Sequence, residues 1–317
     1  MDSVVNQTLR EIEIICINDC TPDNSFEIVK EYAAKDSRFV LIEHETNQGQ
    51  GIARNRGLDI ASGNYIMFLD PDDWYEPEAL EKAYNQISKN KNDIVFFTFK
   101  DHRFKNNKIV KSKIRYDRLA KFQSVMENNH INLMEFEEDW ITASYTWAQI
   151  YSRDFLNKNN IRFPEERFTE DIPFFIKSVV CSRDISILNE PIYNSLRKVD
   201  TVVYDYFKHY EDVFSAKSKA RAAILESENT KKFWINYLLY EIRSDLTQMK
   251  KFCRRNKDAK LHLYPKIRAR FQENTQYFLT NDFDNEKFYK EFKIIVKSKT
   301  YKEFRIRRFL MKIIGIV

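Results

Sequence analysis

The run Phe68-Leu69-Asp70-Pro71-Asp72-Asp73-Trp74 sets three carboxylates behind an apolar stretch, Tyr65–Leu69, that reads as a buried strand. Carboxylates held at a strand end are hard oxygen ligands. Mg²⁺ or Mn²⁺ takes one or two of them and completes its shell with phosphate oxygens and water. The same residue types also make an ordinary strand-to-helix turn, since Pro and Asp favour turns and Glu76-Pro77 opens a helix. Four of the five glycines lie between Gly49 and Gly63, just ahead of these acids. Within that segment Asn47–Gly57 offers backbone N–H groups, Arg54 and Arg56 to a diphosphate, without the Lys-Ser/Thr ending of a P-loop. A second carboxylate pair, Glu170-Asp171, precedes Ile172-Pro173-Phe174-Phe175 at a helix start. Capping by Thr169 and the helix dipole account for that pair taken alone.

The elements that must position these groups alternate along the first hundred residues. Glu11–Ile17 reads as a strand ending at Asn18-Asp19, and Asn24 or Ser25 caps a helix to about Lys35. Strands at Phe39–Glu43, Tyr65–Leu69 and Asp93–Phe99 are separated by helices at Gly51–Ile60 and Pro77–Asn90. This order predicts an α/β fold with a mostly parallel, Rossmann-like sheet and helices on both faces. Ligands collect outside the carboxyl ends of such strands, where Asp19 and Asp70–Asp73 both lie. Residues 101–135 are polar and basic without a clear period and read as a loop or a mobile helical insertion. The pattern is mixed from Trp140 to Val203. Beyond Tyr204 it is helical, with Lys231–Met249 and Lys287–Lys297 at helical spacing. The expected division is a domain at 1–203 and a helical region at 204–317.

The net charge of +5 hides an asymmetry: residues 287–317 carry +8 and residues 1–286 carry −3. On a helix, Lys302, Arg305, Arg308 and Lys312 share one face, with Ile306, Phe309, Ile313 and Val317 roughly opposite. That pattern suits either an in-plane membrane helix over 301–317 or a terminal helix packed on its own domain. Nucleic-acid binding is disfavoured, because the basic stretch is short, terminal and outside any nucleic-acid motif. No stretch nears the roughly 20 apolar residues of a membrane span. Cys16, Cys20, Cys181 and Cys253 lack paired zinc spacing, and no signal peptide precedes them, so they read as free thiols in a reducing cytoplasm.

Taken together, INDCTPDNS (17–25), NQGQGIARNRGL (47–58), YIMFLDPDDW (65–74), TWAQIYSRDFL (146–156) and FTEDIPFF (168–175) resemble the family-2 glycosyltransferases of GT-A fold over about residues 1–200. The resemblance implies that Asp19 contacts the nucleotide base and that Arg54 lies near the donor phosphates. Asp70 and Asp72 would form a DXD motif that binds ribose and the metal-diphosphate with Mn²⁺ or Mg²⁺, with Asp73 beside them. Asp171 would be the catalytic base, Glu170 its neighbour, and Trp147 would sit beside the sugar cleft. The implied reaction is inverting transfer from a nucleotide-diphospho-sugar, UDP by default, to a saccharide or lipid-linked hydroxyl. The implied setting is bacterial surface-polysaccharide synthesis in the cytoplasm, with peripheral contact at the membrane's inner face.

The sequence also departs from that family. Its members begin with an apolar strand ending in a Pro-Val-Tyr-Asn-like segment, whereas this chain starts in the helix that follows (Asp2–Leu9). The expectation is a domain without that strand, with two open strand edges and an incomplete base pocket. An inactive remnant or binding module is the alternative to an enzyme, and a nucleotidyltransferase fits Glu170-Asp171 and Trp147 less well. Cys20 stands where glycine is usual, which restricts a turn, and Ala148-Gln149 replaces Asn-Lys. Arg197 and Lys198 are weaker phosphate candidates. Specificity is expected in Lys100–Trp147 and the helical C-terminus.

Overall fold

The computed structural model describes residues 1–115, 126–127, 130–131, 145–198, 209–226, 231–254, 257–273 and 286–313. The chain divides into two compact units, one of residues 1–203 with 211–237 and one of residues 204–210 with 238–317.

In the first unit, β1 (Ile14–Asn18) and β2 (Phe39–Glu43) are short apolar runs paired in parallel, with α2 (Ser25–Ala33) crossing between them after α1 (Asp2–Val5). A separate sheet runs in the order β3 (Tyr65–Met67), β9 (Gln149–Ser152), β5 (Ile94–Lys105), β10 (Ile185–Lys198), β4 (Trp74–Tyr75), with β6 (Lys108–Ile114) also on β5. A two-stranded β7 (Met126–Glu127) and β8 (His130–Ile131) stands apart. The α/β class holds. Within the large sheet β5 and β10 are parallel, while β3, β4, β6 and β9 add antiparallel pairings. Among the described residues, β1 pairs only with β2 and β3 only with β9.

Residues 101–114, expected as a loop or helical insertion, are instead the end of β5 and all of β6. Asn106 and Asn107 turn between them with φ of 50° and 57°, the left-handed pair of a tight hairpin. Six of the seven β6 residues are exposed, so this strand has no buried face and leaves no alternating apolar signal. Most of 116–144 lies outside the described residues.

Helix α4 (Ala79–Asn90) turns Ala79, Ala83 and Ile87 fully inward at helical spacing. They join a core with Val95, Phe97, Trp147, Ile150 and Tyr193. Helix α3 (Gln50–Ile60) starts beside the end of β1. The short α5 (Arg153–Lys158) is capped by the Ser152 hydroxyl, which accepts from the Phe155 amide. Helix α6 (Asp171–Cys181) buries Ile172–Ile176 together, and α7 (Tyr210–Leu225) adds Val213, Ala216 and Ala220 to the interior.

The second unit is helical. It holds residues from 238 of α8 (Lys231–Cys253), then α9 (Lys257–Glu273), α10 (Glu286–Lys297) and α11 (Tyr301–Ile313). Phe271 stacks on Phe292 at 5.6 Å, and Tyr264 packs against Tyr301 and Phe304. Among the described residues no helix is long and apolar enough to cross a membrane.

Candidate active site

Arg54 sits at the centre of the site. Its Nη2 donates to Asp70 Oδ1 at 2.9 Å and its Nη1 to Glu170 Oε1 at 3.0 Å, with only 12% of the side chain exposed. Arg54 and Glu170, 116 residues apart in sequence, are thus joined, with Asp70 on the same guanidinium. Charge-assisted pairs of this kind are strong where solvent is excluded. The Phe163 ring lies 5.2 Å from the guanidinium carbon and holds it from the side. Two glycines make the approach possible. Gly49 has φ of 98° at the helix entrance, and a Cβ on Gly51 would come within 2.9 Å of the Pro164 carbonyl oxygen.

The three aspartates after β3 differ in surroundings. Asp73 receives the Tyr193 hydroxyl at 2.7 Å and the Leu196 amide at 2.7 Å, so both its oxygens are engaged by protein. Burial pushes its carboxyl up to about 6, against the pull of those bonds. Tyr193 also accepts from the Asp70 amide at 3.3 Å, tying both acids to one phenol. Asp70 holds Arg54, and Asp72 is exposed. Among the described residues no group of three or more side chains could hold a metal alone. An exposed Asp72 beside Asp70 fits a Mg²⁺ or Mn²⁺ that shares its shell with a bound diphosphate.

Glu170 and Asp171 begin α6, just after Thr169, whose φ of 60° is strained for a β-branched residue. Burial raises the Glu170 carboxyl, and Arg54 opposes that shift. Burial, followed by the charge of Glu170, raises the Asp171 carboxyl to about 7. Asp171 thus exchanges a proton near neutrality.

Asp19 closes a loop from the end of β1. Its carboxylate accepts from the Gln48 and Gly49 amides at 2.8 and 2.7 Å and pairs with His44 Nδ1 at 2.8 Å. Burial pulls its carboxyl up, but these bonds outweigh it and the net shift is downward. The amides at 48 and 49, candidates for a diphosphate, are therefore engaged by Asp19. Cys20 adopts φ of 58°, the conformation a glycine would take freely. Trp147 lies beneath the site: it is 7% exposed and stacked between Tyr145 and Tyr193 at 4.7 and 4.4 Å. Arg197 pairs with Asp101 at 3.2 Å. Sequence reasoning missed Tyr193 and His44. Tyr193 stands in an aromatic-bearing strand, PIYN, while His44 carries no local signal.

Residues 1–158 match the family model of Glycosyl transferase family 2. The chain belongs to that family. EpsH of Bacillus subtilis (strain 168), which bears a glycosyltransferase name, is 30% identical over 232 residues, covering 72% of this chain and 65% of EpsH. The chain thus spans under two thirds of that relative's length. S. aureus TarS 1–349, solved with UDP-GlcNAc, aligns over 86% of this chain and 75% of its own, with TM-score 0.67 and 21% identity. A mannosyltransferase from Pyrobaculum calidifontis, solved with GDP-Man and Mn²⁺, covers 89% of this chain and 71% of its own, with TM-score 0.50 and 13% identity. These likenesses establish the GT-A architecture of the family-2 domain.

Proposed function

We propose that the chain transfers a sugar from a nucleotide-diphospho-sugar to a saccharide or lipid-linked hydroxyl, with inversion and with a divalent metal. The observation that carries the reading is Arg54, which joins the acid at the end of β3 to the acid pair opening α6. Donors carrying UDP come first, given the ligand of TarS. Asp72 and Asp70 are the DXD residues that would hold Mn²⁺ or Mg²⁺. A bound ion would supply Lewis-acid neutralisation of the departing diphosphate. Asp73 is a positioning residue held by Tyr193, and Asp19 shapes the base pocket through the Gln48-Gly49 amides.

Asp171 takes the proton of the attacking hydroxyl as the new oxygen–carbon bond forms and the anomeric carbon–phosphate oxygen bond breaks. The nucleoside diphosphate leaves on the opposite face, so one displacement inverts the carbon. Glu170 stays paired to Arg54 and raises the basicity of its neighbour. Trp147 supports this machinery from beneath. We further propose a catalytic domain at 1–203, a helical region at 204–317 and a place on the cytoplasmic side of bacterial surface-glycan assembly.

Calorimetric titration with UDP, with and without Mn²⁺, tests the reading. Metal-dependent binding by the wild-type chain, lost in Asp72→Ala, is the expected result. Affinity for UDP that ignores both the metal and Asp72 would remove these acids from the donor site. Absence of UDP binding under every condition would favour the binding-module or inactive alternative.

A further inference from the structure

Residues 238–317 carry 20 Lys or Arg against nine Asp or Glu, a net of +11. Two of those nine, Glu241 and Asp245, are buried and answered by Arg270 at 3.4 and 3.5 Å. The remaining charge makes this unit a strong attractor of anions.

Arg254, Lys260 and Arg305 lie around one junction. Arg254, just past α8, and Arg305 of α11 both act electrostatically on the Tyr301 hydroxyl. Lys260 of α9 acts on the neighbouring Cys253 thiol. Tyr264 of α9 touches Tyr301 and Phe304, so the three helices meet there. Arg254, Lys260, Lys302 and Arg305 are all exposed and have no acidic partner among the described residues.

Two large apolar side chains of the same helices, α9 and α11, also face water. Leu261 is 60% exposed beside Lys260, and Ile306 is 51% exposed beside Arg305. On α11 the inward face is filled by Tyr301 and Phe304, at 6% and 1% exposure. Ile306 is therefore turned away from the unit's own interior. The sequence pattern offered a terminal helix packed on its own domain or one lying on a membrane. The described part of α11 has a face for each. Residues 314–317 and the side chains from 309 onward lie outside the described residues.

We infer that the helical unit docks on an anionic bilayer. Arg254, Lys260, Lys302 and Arg305 would contact lipid phosphates, and Leu261 and Ile306 would enter the headgroup boundary. A soluble polyanion would satisfy the cations but leave both apolar side chains in water, so the bilayer is the better match.

The test is co-sedimentation of the full chain with vesicles of equal parts phosphatidylglycerol and phosphatidylcholine, beside pure phosphatidylcholine. Binding to the anionic vesicles alone, weakening as salt shortens the Debye length, is expected. Lys302→Glu with Arg305→Glu should weaken binding by at least ~25-fold, about fivefold for each cation lost. Leu261→Ser with Ile306→Ser should also weaken it, at unchanged net charge. Melting followed by far-ultraviolet circular dichroism would show that each variant folds. Failure of the wild-type chain to sediment with anionic vesicles overturns the inference. So does unchanged vesicle binding by the double serine variant, which would assign the surface to polyanions in general. Sugar transfer is not part of the readout, so this inference and the catalytic reading can fail separately.

Discussion

Asp171 and Asp72 make the sharpest claims because each has a separate observable. Asp171→Asn should leave UDP affinity nearly intact while lowering turnover by roughly 10²–10⁴-fold, measured by single-turnover product formation. Unchanged turnover would remove Asp171 as the base. With its carboxyl near 7, kcat/KM should rise with pH to a plateau above neutrality. A linked effect on stability follows. The folded value lies above the ordinary value of 3.8, so the fold favours the protonated form. The stability this confers is complete below about pH 4 and is lost as pH rises through 7. Asp171→Asn should therefore melt at a higher temperature than wild type at pH 8 and with little difference at pH 4. Equal melting at both values would mean Asp171 titrates as an ordinary surface acid. Tyr193→Phe offers a third check. It removes the hydroxyl that Asp73 accepts and should cost about 1–3 kcal/mol in urea unfolding, because a buried carboxylate oxygen loses its partner.

Between elements, the decisive contact is that of α3 with the chain leading into α6. Gly51→Ala places a methyl group against the Pro164 carbonyl and within 3.3 Å of the Glu170 side chain. Overpacking of this kind costs about 1–3 kcal/mol. It should also push Glu170 off Arg54, so thermal melting and turnover should fall together. A variant that loses neither would show that the helix has room to shift. This interface also marks how far the residues alone could be read. Helix α3, with only Gly51 and Leu58 buried, was marked by the glycines around its start. The end of β1, β2, α4 and the buried part of β5 were legible because their apolar pattern is strong and their ends carry Pro, Asn or Asp. The carboxylates at the strand end were legible for the same reason. From Lys100 to Ile114 the reading failed, since β6 has water on both faces and its turn uses two asparagines without a glycine. The union of Asp70, Glu170 and Arg54 was invisible as a contact, because nothing in local spacing reports on groups so far apart. The engagement of Asp19 with the Gln48 and Gly49 amides depends likewise on where β1 ends relative to α3.

At the scale of the whole chain, opposite charges are segregated: the helical unit bears +11 and the remainder −6. Basic character in the sum therefore does not describe the unit that holds the carboxylates, since the remainder is net negative. A last consequence comes from β1 and β3, each with one side of its backbone unpaired among the described residues. Strand backbone left open in this way acts as a template for other chains. In colloidal terms the molecule has patches of directional stickiness, and crowding rather than heat should be its first hazard. Dynamic light scattering over a dilution series should show a particle radius that grows with concentration well below the melting temperature. A radius independent of concentration would mean those edges are shielded.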